Sequence, residues 1–376
     1  MREYKLVYIS LGSNIGERLN YLQNAVNTIF DRIGAVRAIS KVYSTPALGF
    51  EGDDFLNACV LVETSIAPED VMTELLNIEK ELGRVRSEGS GYQSRTVDLD
   101  MVFYEDEIHN TEHLVLPHPQ MQHRKFVLQP LKDIAAECIH PVLKKSVTEL
   151  LRSCDDDSVL VETDFSLINP QEQFGFSKYN YIAIEGNIGA GKTSLATQLA
   201  NDFNAKLILE RFADNPFLPK FYSDIERYAF PLEMSFLADR YQQISDDLSQ
   251  LDLFKDFVIS DYDVFKSLIF SKITLPEEEF KLYRKLFYLM YKDIPKPDLY
   301  IYLHQETEQL QHNIKKRGRG YEQNISHSYL DKITSGYLEF LRNNTKMNVK
   351  IINLSNRDFV KDRQVYMGVL KEISAE

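Results

Sequence analysis

The stretch "YIAIEGNIGAGKTSLATQLA", residues 181–200, carries the strongest structural signal in the sequence. Its apolar start predicts a buried strand, and the residues after the glycines predict a helix. Between them, "GNIGAGKT" has the spacing of a phosphate-binding loop. A glycine-rich turn without a ligand is the alternative. A preceding strand and a following helix are the context that the phosphate-binding role requires, so we favour that role.

In such a loop, backbone amides surround the phosphates and the side chain of Lys192 reaches the β and γ groups. The hydroxyl of Thr193 is placed to bind Mg²⁺, and Asp261 follows a predicted strand at the usual position of a second magnesium-binding carboxylate. The residues expected to bind ATP phosphates through this loop are Gly186, Asn187, Ile188, Gly189, Ala190, Gly191, Lys192 and Thr193.

Further apolar segments at 205–209, 256–260, 298–303 and 349–353 predict strands with helices between them. Alternating strands and helices indicate an α/β domain with a parallel sheet. This half of the chain therefore reads as an α/β P-loop domain with a parallel sheet.

The N-terminal half has a different signal, in "SRTVDLDMVFY", residues 94–104. Its alternation predicts a strand that places Asp98 and Asp100 on the same face, about 6–7 Å apart at the backbone. A salt-bridged surface is one interpretation, since Arg95 is close in sequence. The other is a divalent cation held by the two carboxylates, with substrate phosphates and water completing its coordination.

Arginines near these aspartates favour the second interpretation, because guanidinium groups match phosphate oxygens. They are Arg84 and Arg86 in "GRVR", Arg95, and Arg124 in "PHPQMQHRKF", which also contains His118. The order of elements in this half predicts an α+β fold with helices over one mixed sheet. The predicted strands are 5–11, 35–43, 56–64 and 97–104, and the predicted helices are 17–32 and 68–82, with more after 120.

The segment between the halves mixes an acidic run with Asn-Pro and Gly. Without a clean period in its second part, it predicts a linker at 161–178, between a domain at 1–160 and a domain at 179–376. The chain has 376 residues, a net charge of −13 and three scattered cysteines. These features predict a cytoplasmic protein with free thiols that acts on small molecules, with no nucleic-acid or membrane partner.

Six motifs in the first half, "YISLGSN", "YSTPALG", "DFLNACV", "IEKELGRVR", "SRTVDLD" and "LPHPQMQHRKFVLQPL", resemble 6-hydroxymethyl-7,8-dihydropterin pyrophosphokinase over residues 4–152. The resemblance implies a ferredoxin-like α+β fold and transfer of pyrophosphate from ATP to the pterin hydroxymethyl group. It implies two Mg²⁺ ions at Asp98 and Asp100. It also implies catalytic arginines at 84 and 95, and ATP contacts from Arg86, His118 and Arg124.

The same resemblance implies a pterin pocket in which aromatic rings stack on the flat substrate. Tyr92 stands where the family has a tryptophan, and Phe55 stands where a tyrosine is common, so both positions stay aromatic. The pocket residues implied are Thr45, Pro46, Leu48, Phe55, Asn57, Tyr92 and Phe126.

The motifs "IEGNIGAGKT", "E-x4-NPFL-x2-FY" and "RGR-x2-E" make the second half similar to the deoxynucleoside kinase family over residues 179–345. The resemblance implies Glu210 as general base for the sugar 5′-hydroxyl. It implies Lys192 and Arg317 in catalysis and Arg319 as a second lid arginine that contacts ATP. Sugar and base contacts are implied for Tyr222, Glu233, Arg240 and Glu322.

Three positions depart from that family. Tyr262 replaces an arginine after Asp261, Lys266 stands where an aspartate is common, and Glu233 replaces the glutamine that reads the base. Glu233 has two interpretations: a solvated glutamate paired with Arg240, or a base reader that accepts from an exocyclic amine. The second favours a purine deoxynucleoside, deoxyadenosine first.

The sequence therefore predicts a bifunctional enzyme in which both halves use Mg²⁺ and ATP, with one Mg²⁺ in the C-terminal site. Association into a homodimer through the C-terminal domain is a further expectation. Two alternatives stay open for the second half: a nucleoside monophosphate kinase, which needs a second phosphate site, and a non-catalytic nucleotide-binding module.

Overall fold

The computed structural model describes residues 4–47, 52–84, 94–211, 215–249, 254–292 and 294–375. The chain divides into two compact units, Met1–Phe174 and Gly175–Glu376. Within the described ranges, no helix combines the length and apolarity needed to cross a membrane.

The strands of the N-terminal unit are β1 (Lys5–Ser13), β2 (Ala35–Ile39), β3 (Tyr43–Thr45), β4 (Phe55–Thr64), β5 (Asp98–Tyr104), β6 (His109–Asn110), β7 (Val115–Leu116) and β8 (Val161–Glu162). They build an antiparallel sheet in the order β5-β1-β4-β3-β8, with β2 also paired to β4. The predicted mixed sheet is wrong, because every pairing described in this sheet is antiparallel.

The predicted strand at 35–43 is split in two at Ser40. The Ser40 hydroxyl accepts the backbone N–H of Cys59 at 2.8 Å, and the Ser40 N–H donates to the carbonyl of Cys59 at 2.9 Å. These side-chain and backbone bonds interrupt the regular ladder between β2 and β3. The helices of this unit are α1 (Arg18–Arg32), α2 (Pro68–Glu81), α3 (Lys125–Ala135) and α4 (Val147–Arg152).

One face of the sheet collects the polar residues of the site. Ser10 and Gly12 of β1 lie opposite Asp100 and Asp98 of β5, and Gly12 also lies opposite Asn57 of β4. Directly opposed residues project to the same side of a sheet. The strand register therefore brings residues far apart in sequence to one face.

The segment predicted as a linker has structure of its own. Val161–Glu162 pairs with β3, and the backbone N–H of Ile168 donates to the side chain of Gln23 at 2.8 Å. The ring of Phe174 packs against Phe30 with 6.0 Å between centroids. Apolar and hydrogen-bonding residues inside a polar stretch thus attach residues 161–174 to the N-terminal unit.

The strands of the C-terminal unit are β9 (Tyr181–Gly186), β10 (Lys206–Ile208), β11 (Val258–Ser260), β12 (Leu299–His304) and β13 (Val349–Asn353). They form a parallel sheet, as the sequence predicts, and its strand order is β10-β11-β9-β12-β13. Its helices are α5 (Lys192–Asp202), α6 (Leu218–Ser223), α7 (Ile225–Ser249), α8 (Lys266–Thr274), α9 (Glu277–Met290), α10 (Thr307–Arg317), α11 (His327–Asn343) and α12 (Arg363–Ser374).

Strand β9 lies inside this sheet and is buried along its whole length. The glycine-rich loop leaves its carboxyl end and leads into α5. Ligands of open parallel sheets bind at this edge, where the strand ends and the helix N-terminus meet. The fold therefore fixes the position of the C-terminal site.

Candidate active sites

A cavity of about 730 Å³ opens on the polar face of the N-terminal sheet. It brings together most of the residues predicted for the pterin and ATP sites. Leu48, Arg86 and Tyr92 lie outside the described residues. The predicted residues that line the cavity are Thr45, Pro46, Phe55, Asn57, Arg84, Arg95, Asp98, Asp100, His118, Arg124 and Phe126.

Asp98 is balanced by two arginines. Its carboxylate pairs with Arg84 and, at 2.7 Å, with Arg95. Arg84 also pairs with Glu79, a buried carboxylate that accepts the backbone N–H of Leu99 at 2.8 Å. The ion pairs of the salt-bridge interpretation are therefore present, but they lie in a cavity and not on an open surface.

The negative charge of Asp100 has no comparably close arginine among the described residues. Its nearest described ion-pair contact is Arg124 at 3.9 Å. Burial, and then the charge of Asp98, raise the pKa of Asp100 to about 6. A cation bound between Asp98 and Asp100 would reduce the repulsion between the two carboxylates and favour the ionised form of Asp100.

The donor set fits Mg²⁺ better than a metal that needs a closed protein cage. In the residues that the structure describes, no group of three or more His, Cys, Asp or Glu side chains could hold a metal ion. Mg²⁺ is commonly bound by one or two carboxylates, with water and substrate phosphates as its other ligands. Asp98 and Asp100 provide that pair on neighbouring positions of one face.

The other end of the cavity has amide and aromatic groups. The Asn57 side-chain amide donates to Thr45 Oγ1 at 2.8 Å, and a Cβ at Gly12 would lie 3.4 Å from Asn57 Oδ1. The guanidinium of Arg95 lies 5.6 Å from the centroid of the Phe55 ring, and that of Arg124 lies 5.8 Å from Phe126. A flat heterocycle with polar edges suits this combination.

His118 follows Pro117, whose peptide bond with Leu116 is cis. Burial, and then the charge of Arg124, lower the pKa of His118 to about 4, so the ring is neutral near pH 7. Its Nδ1 accepts the backbone N–H of Gln120 at 3.2 Å. This bond places the ring proton on Nε2, which can donate to a phosphate oxygen.

Sequence reasoning missed several residues here. The sequence motifs indicate no role for Glu79, which forms an ion pair with Arg84 in the structure. Asp155 and Asp156 also line the cavity: Asp156 accepts the backbone N–H of Lys125 at 2.8 Å, at the start of α3. The acidic run that contains both aspartates was the only sequence signal, and such runs are usually solvated.

In the C-terminal unit, the phosphate-binding loop depends on glycine at two positions. Gly189 and Gly191 have φ of +81° and +94°, values that side-chain-bearing residues rarely adopt. A Cβ at Gly189 would also lie 2.9 Å from the carbonyl oxygen of Leu310. Lys192 donates to the carbonyls of Gly186 and Asn187, both at 2.9 Å. Burial, and then the charge of Lys266, lower the pKa of Lys192 to about 8.

The two predicted magnesium ligands are adjacent. Thr193 Oγ1 donates to Asp261 Oδ2 at 2.5 Å, and the other oxygen of Asp261 accepts the backbone N–H of Glu210 at 2.7 Å. A hydroxyl and one carboxylate beside a phosphate loop are the ligands expected for Mg²⁺ in a P-loop site. These two residues therefore fit the ion.

Glu210 is held by two cations. Arg240 donates two bonds to Oε1, at 2.9 and 2.7 Å, and Lys266 donates to Oε2 at 2.6 Å. Burial opposes ionisation of Glu210, but Lys266 and Arg240 outweigh it and hold the pKa well below its usual range. Tyr262, aligned with the family arginine, is fully buried in the core. Lys266 supplies a cation beside the carboxylate instead.

The interpretation of Glu233 as a solvated glutamate paired with Arg240 is wrong. Glu233 is 3% exposed, and its Oε1 lies 3.0 Å from the hydroxyl of Thr274. Arg240 donates to Glu210 and to Ser267 instead. Helix α7 thus carries both residues, but their side chains have different partners.

The predicted lid residues meet the predicted sugar-binding residues. Arg317 and Arg319 both pair with Glu322, and the ring of Tyr222 stacks on Tyr321 with 6.1 Å between centroids. Glu322 is therefore neutralised by the lid arginines in this structure. Any sugar hydroxyl bound there would compete with these ion pairs.

Two cavities meet at the phosphate loop. The acceptor cavity, of about 120 Å³, contains Glu210, Glu233 and Arg240, and the donor cavity, of about 780 Å³, extends from the loop to residues 354–361. Both are lined by Gly189, Lys192, Thr193, Arg317 and Arg319. Ligand cavities usually measure roughly 300–1,000 Å³, so the acceptor cavity in this structure is smaller than a typical ligand site.

Comparisons with known proteins agree with this division. Residues 8–136 match the family 7,8-dihydro-6-hydroxymethylpterin-pyrophosphokinase (HPPK), and residues 182–376 match the family deoxynucleoside kinase. Deoxyguanosine kinase of Bacillus subtilis (strain 168) is 38% identical over 197 residues, which cover 51% of this chain and 95% of that protein.

The corresponding relative of the first half is 2-amino-4-hydroxy-6-hydroxymethyldihydropteridine pyrophosphokinase of Aquifex aeolicus (strain VF5). It is 35% identical over 144 residues, or 38% of this chain and 88% of that protein. A solved structure of deoxyadenosine kinase from M. mycoides with bound dATP covers 51% of this chain and 98% of its own, at 22% identity and a TM-score of 0.45.

Fold and site together define a two-unit phosphotransferase with a separate nucleotide site in each unit. The chain belongs to the 7,8-dihydro-6-hydroxymethylpterin-pyrophosphokinase family through its first unit and to the deoxynucleoside kinase family through its second. It is therefore a bifunctional kinase, with one kinase domain in each unit, and kinases of both families use ATP and Mg²⁺.

Proposed function

We propose that the chain catalyses two independent reactions. The first unit transfers pyrophosphate from ATP to 6-hydroxymethyl-7,8-dihydropterin and releases AMP. The second transfers the γ-phosphoryl group of ATP to the 5′-hydroxyl of a deoxynucleoside and releases ADP. The observation that carries this proposal is that phosphate-binding and acceptor-binding groups lie together in one cavity of the first unit and around the glycine-rich loop of the second.

In the first unit, the pterin would lie between Phe55 and Phe126, with its polar edge against Asn57. Arg95 and His118 Nε2 would bind ATP phosphates, and Asp98 with Asp100 would hold Mg²⁺. The ion supplies charge neutralisation on the phosphates when it is bound. Two ions are expected from the family resemblance. The protein's contribution is to orient the hydroxymethyl oxygen in line with the leaving group.

In the second unit, Glu210 would accept a hydrogen bond from the 5′-hydroxyl. Because Lys266 and Arg240 keep the carboxylate ionised, it is a weak base at the start of the reaction. Phosphoryl transfer passes through a loose transition state, so the hydroxyl proton leaves late, when the oxygen has already become acidic. Glu210 then serves first to orient the hydroxyl and later to take its proton.

Lys192, Arg317 and Arg319 line both cavities of the second unit and would contact the phosphoryl group as it moves. Thr193 and Asp261 would hold a single Mg²⁺. Opening the acceptor cavity requires that the lid arginines separate from Glu322, which frees that carboxylate for the sugar 3′-hydroxyl. Tyr222 would lie beside the same hydroxyl.

The charge pattern disfavours a nucleoside monophosphate kinase. Such an enzyme needs spare cations for the phosphate of its acceptor. Among the described cations that line the acceptor cavity, Arg240 and Lys266 are paired with Glu210, while Lys192, Arg317 and Arg319 are assigned above to the transferred phosphoryl group. A nucleoside without a phosphate suits this cavity better.

The base is proposed to be a purine. Adenine and guanine both carry an exocyclic amine that can donate to Glu233, as the sequence suggested for deoxyadenosine. The Bacillus subtilis relative is named for deoxyguanosine. We therefore treat both purine deoxynucleosides as substrates to be compared.

The strand order of the first unit supports the ferredoxin-like assignment made from the resemblance. With β2 and β3 taken as one interrupted strand, the order β5-β1-β4-β2/β3 corresponds to 4-1-3-2 of a βαββαβ unit. We also propose that the functional boundary lies between Phe174 and Gly175, and not in the middle of a linker at 161–178.

Two variants separate the sites. Asp98→Asn should abolish AMP formation with the pterin and leave deoxynucleoside phosphorylation near the wild-type rate. Lys192→Met should do the reverse. Loss of both activities in either folded variant would contradict two independent sites, and so would retention of AMP formation in Asp98→Asn.

A further inference from the structure

Glu233 has one carboxylate oxygen that no described group of the protein uses. The side chain lines the acceptor cavity and is 3% exposed. Its Oε2 is buried and has no hydrogen-bond partner in the part of the chain that the structure describes. An unpaired buried oxygen is costly, so a ligand that bonds to it gains from the interaction.

The partner of the other oxygen is compatible with either charge state of Glu233. Thr274 Oγ1 lies 3.0 Å from Glu233 Oε1 and 2.9 Å from the carbonyl oxygen of Phe270. A hydroxyl has one proton and donates to one of them at a time. It can donate to an ionised Glu233, or turn to Phe270 when the carboxyl is protonated.

The surroundings of Glu233 bring the pKa of its carboxyl close to neutral pH. Burial is the largest effect and raises its pKa to about 7, against the opposing influence of Arg240, Thr274 and Lys266. Both cations are already paired with Glu210, whose negative charge adds to the rise. The titratable and charged groups that face Glu233 are Arg240 on its own helix, Lys266 on α8, Glu210 after β10, Tyr222 on α6, Tyr283 on α9 and Tyr329 on α11.

The two purines present different edges to such a group. The Watson–Crick edge of guanine has two adjacent donors, N1–H and the 2-amino group, which match the two oxygens of a carboxylate. The edge of adenine has a donor, the 6-amino group, beside an acceptor, N1. A carboxylate can accept from the 6-amino group of adenine but has no proton to donate to N1. A protonated carboxyl can do both.

We propose that Glu233 is a two-state reader of the purine base, whose ionised carboxylate selects guanine and whose protonated carboxyl selects adenine. The inference rests on the deoxynucleoside kinase activity proposed above and adds to it a base preference that depends on pH. No atom or electron transfer is involved: one proton bound at Oε2 converts a pair of acceptors into a donor and an acceptor.

The test is a competition between two substrates in one mixture. The full-length protein, ATP and Mg²⁺ are supplied with equal concentrations of deoxyguanosine and deoxyadenosine, and the initial rates of dGMP and dAMP formation are measured. Their ratio equals the ratio of the two kcat/KM values. The titration of Lys192 and of ATP affects both products alike and cancels in this ratio.

In the wild type, the dGMP to dAMP ratio should rise roughly tenfold or more between about pH 6 and about pH 8.5. In Glu233→Gln, whose amide always offers one donor and one acceptor, the ratio should be flat and shifted toward dAMP. Glu226→Gln, an exposed glutamate on the same helix, is the matched control and should keep the wild-type curve.

Thr274→Val gives a second, independent readout. It removes the hydrogen bond that stabilises the ionised form, so the rise of the ratio should move to higher pH. A flat wild-type ratio, or a Glu233→Gln variant that keeps the wild-type slope, would overturn the proposal. If the wild type phosphorylates neither purine deoxynucleoside, the proposed function itself fails, a result that is distinct from a flat ratio.

Discussion

Asp98 and Asp100 are neighbours on one strand face, yet removal of their charges should change stability in opposite directions. The perturbation is Asp100→Asn, with Asp98→Asn as its matched control. Asp100 ionises against its surroundings, since its pKa is raised from 3.8 to about 6. Asp98 has favourable partners, because Arg84 and Arg95 both pair with it.

The magnitude follows from the shift for Asp100. A rise from 3.8 to about 6 corresponds to about 3 kcal/mol, because one pKa unit is about 1.36 kcal/mol. The side chain is 34% exposed, and solvent screening reduces this figure to about 1–2 kcal/mol. Asp100→Asn should therefore stabilise the metal-free N-terminal unit by about 1–2 kcal/mol near neutral pH. Asp98→Asn should destabilise it by about 1–3 kcal/mol, since it removes the carboxylate charge that pairs with Arg84 and Arg95.

The pH dependence has a definite sign. Between about pH 4 and about pH 6 the folded state holds the Asp100 proton more tightly than the unfolded state does, so the wild type loses stability as pH rises through this window. Above about pH 6, Asp100 is ionised in the folded state, and its full unfavourable contribution to the free energy of unfolding is present. The advantage of Asp100→Asn should therefore be complete near pH 7.5 and should vanish near pH 4.

The assay is differential scanning calorimetry of the full-length protein with a chelator present. In a separate scan with Mg²⁺ and without chelator, the transition of the N-terminal unit is identified as the one that shifts further when the pterin is added to a non-hydrolysable ATP analogue. For a unit of this size, about 1–2 kcal/mol corresponds to a rise in Tm of roughly 2–8 °C. An unchanged or lowered Tm in Asp100→Asn at neutral pH would refute the assignment of Asp100 as an electrostatically unfavourable group.

Three further outcomes are expected. Glu210→Gln should lower kcat for every deoxynucleoside by about 10²–10⁴ without reordering them, and near-normal turnover would place the base elsewhere. Lys266→Met should lower kcat/KM for deoxynucleosides through loss of the cation beside Glu210, and it should leave pterin turnover, measured as AMP release, unchanged. Cleavage of the chain between Phe174 and Gly175 should give two fragments that each melt cooperatively, whereas a fragment of residues 1–160 should be less stable than 1–174.

The regular elements near the nucleotide sites could be predicted, because their patterns are local. Alternation in β5 and the spacing of the loop at residues 186–193 depend only on neighbouring residues. The attachment of residues 161–174 to the first unit could not be predicted, since it depends on contacts such as Phe174 with Phe30, which are far apart in sequence.

In the candidate sites, too, some features follow from local sequence and others depend on contacts between distant residues. The positions of Asp98, Asp261 and Lys192 followed from motifs. The partners of these residues did not, because they are chosen in three dimensions: Lys266 replaces the absent arginine beside Glu210, and Arg240 contacts Glu210 and not Glu233. A sequence pattern can place a charge on an element, but only packing decides which opposite charge it meets.

The central claim is that one chain contains two kinase sites with different chemistry, and the nucleotide product distinguishes them directly. The full-length protein is incubated with ATP and Mg²⁺ and with the hydroxymethyldihydropterin, a purine deoxynucleoside, or both, and AMP and ADP are quantified. The account predicts AMP with the pterin alone, ADP with the deoxynucleoside alone, and the sum of both rates with the mixture. Formation of only one product under all conditions, or suppression of one reaction by the other substrate, would contradict two independent sites.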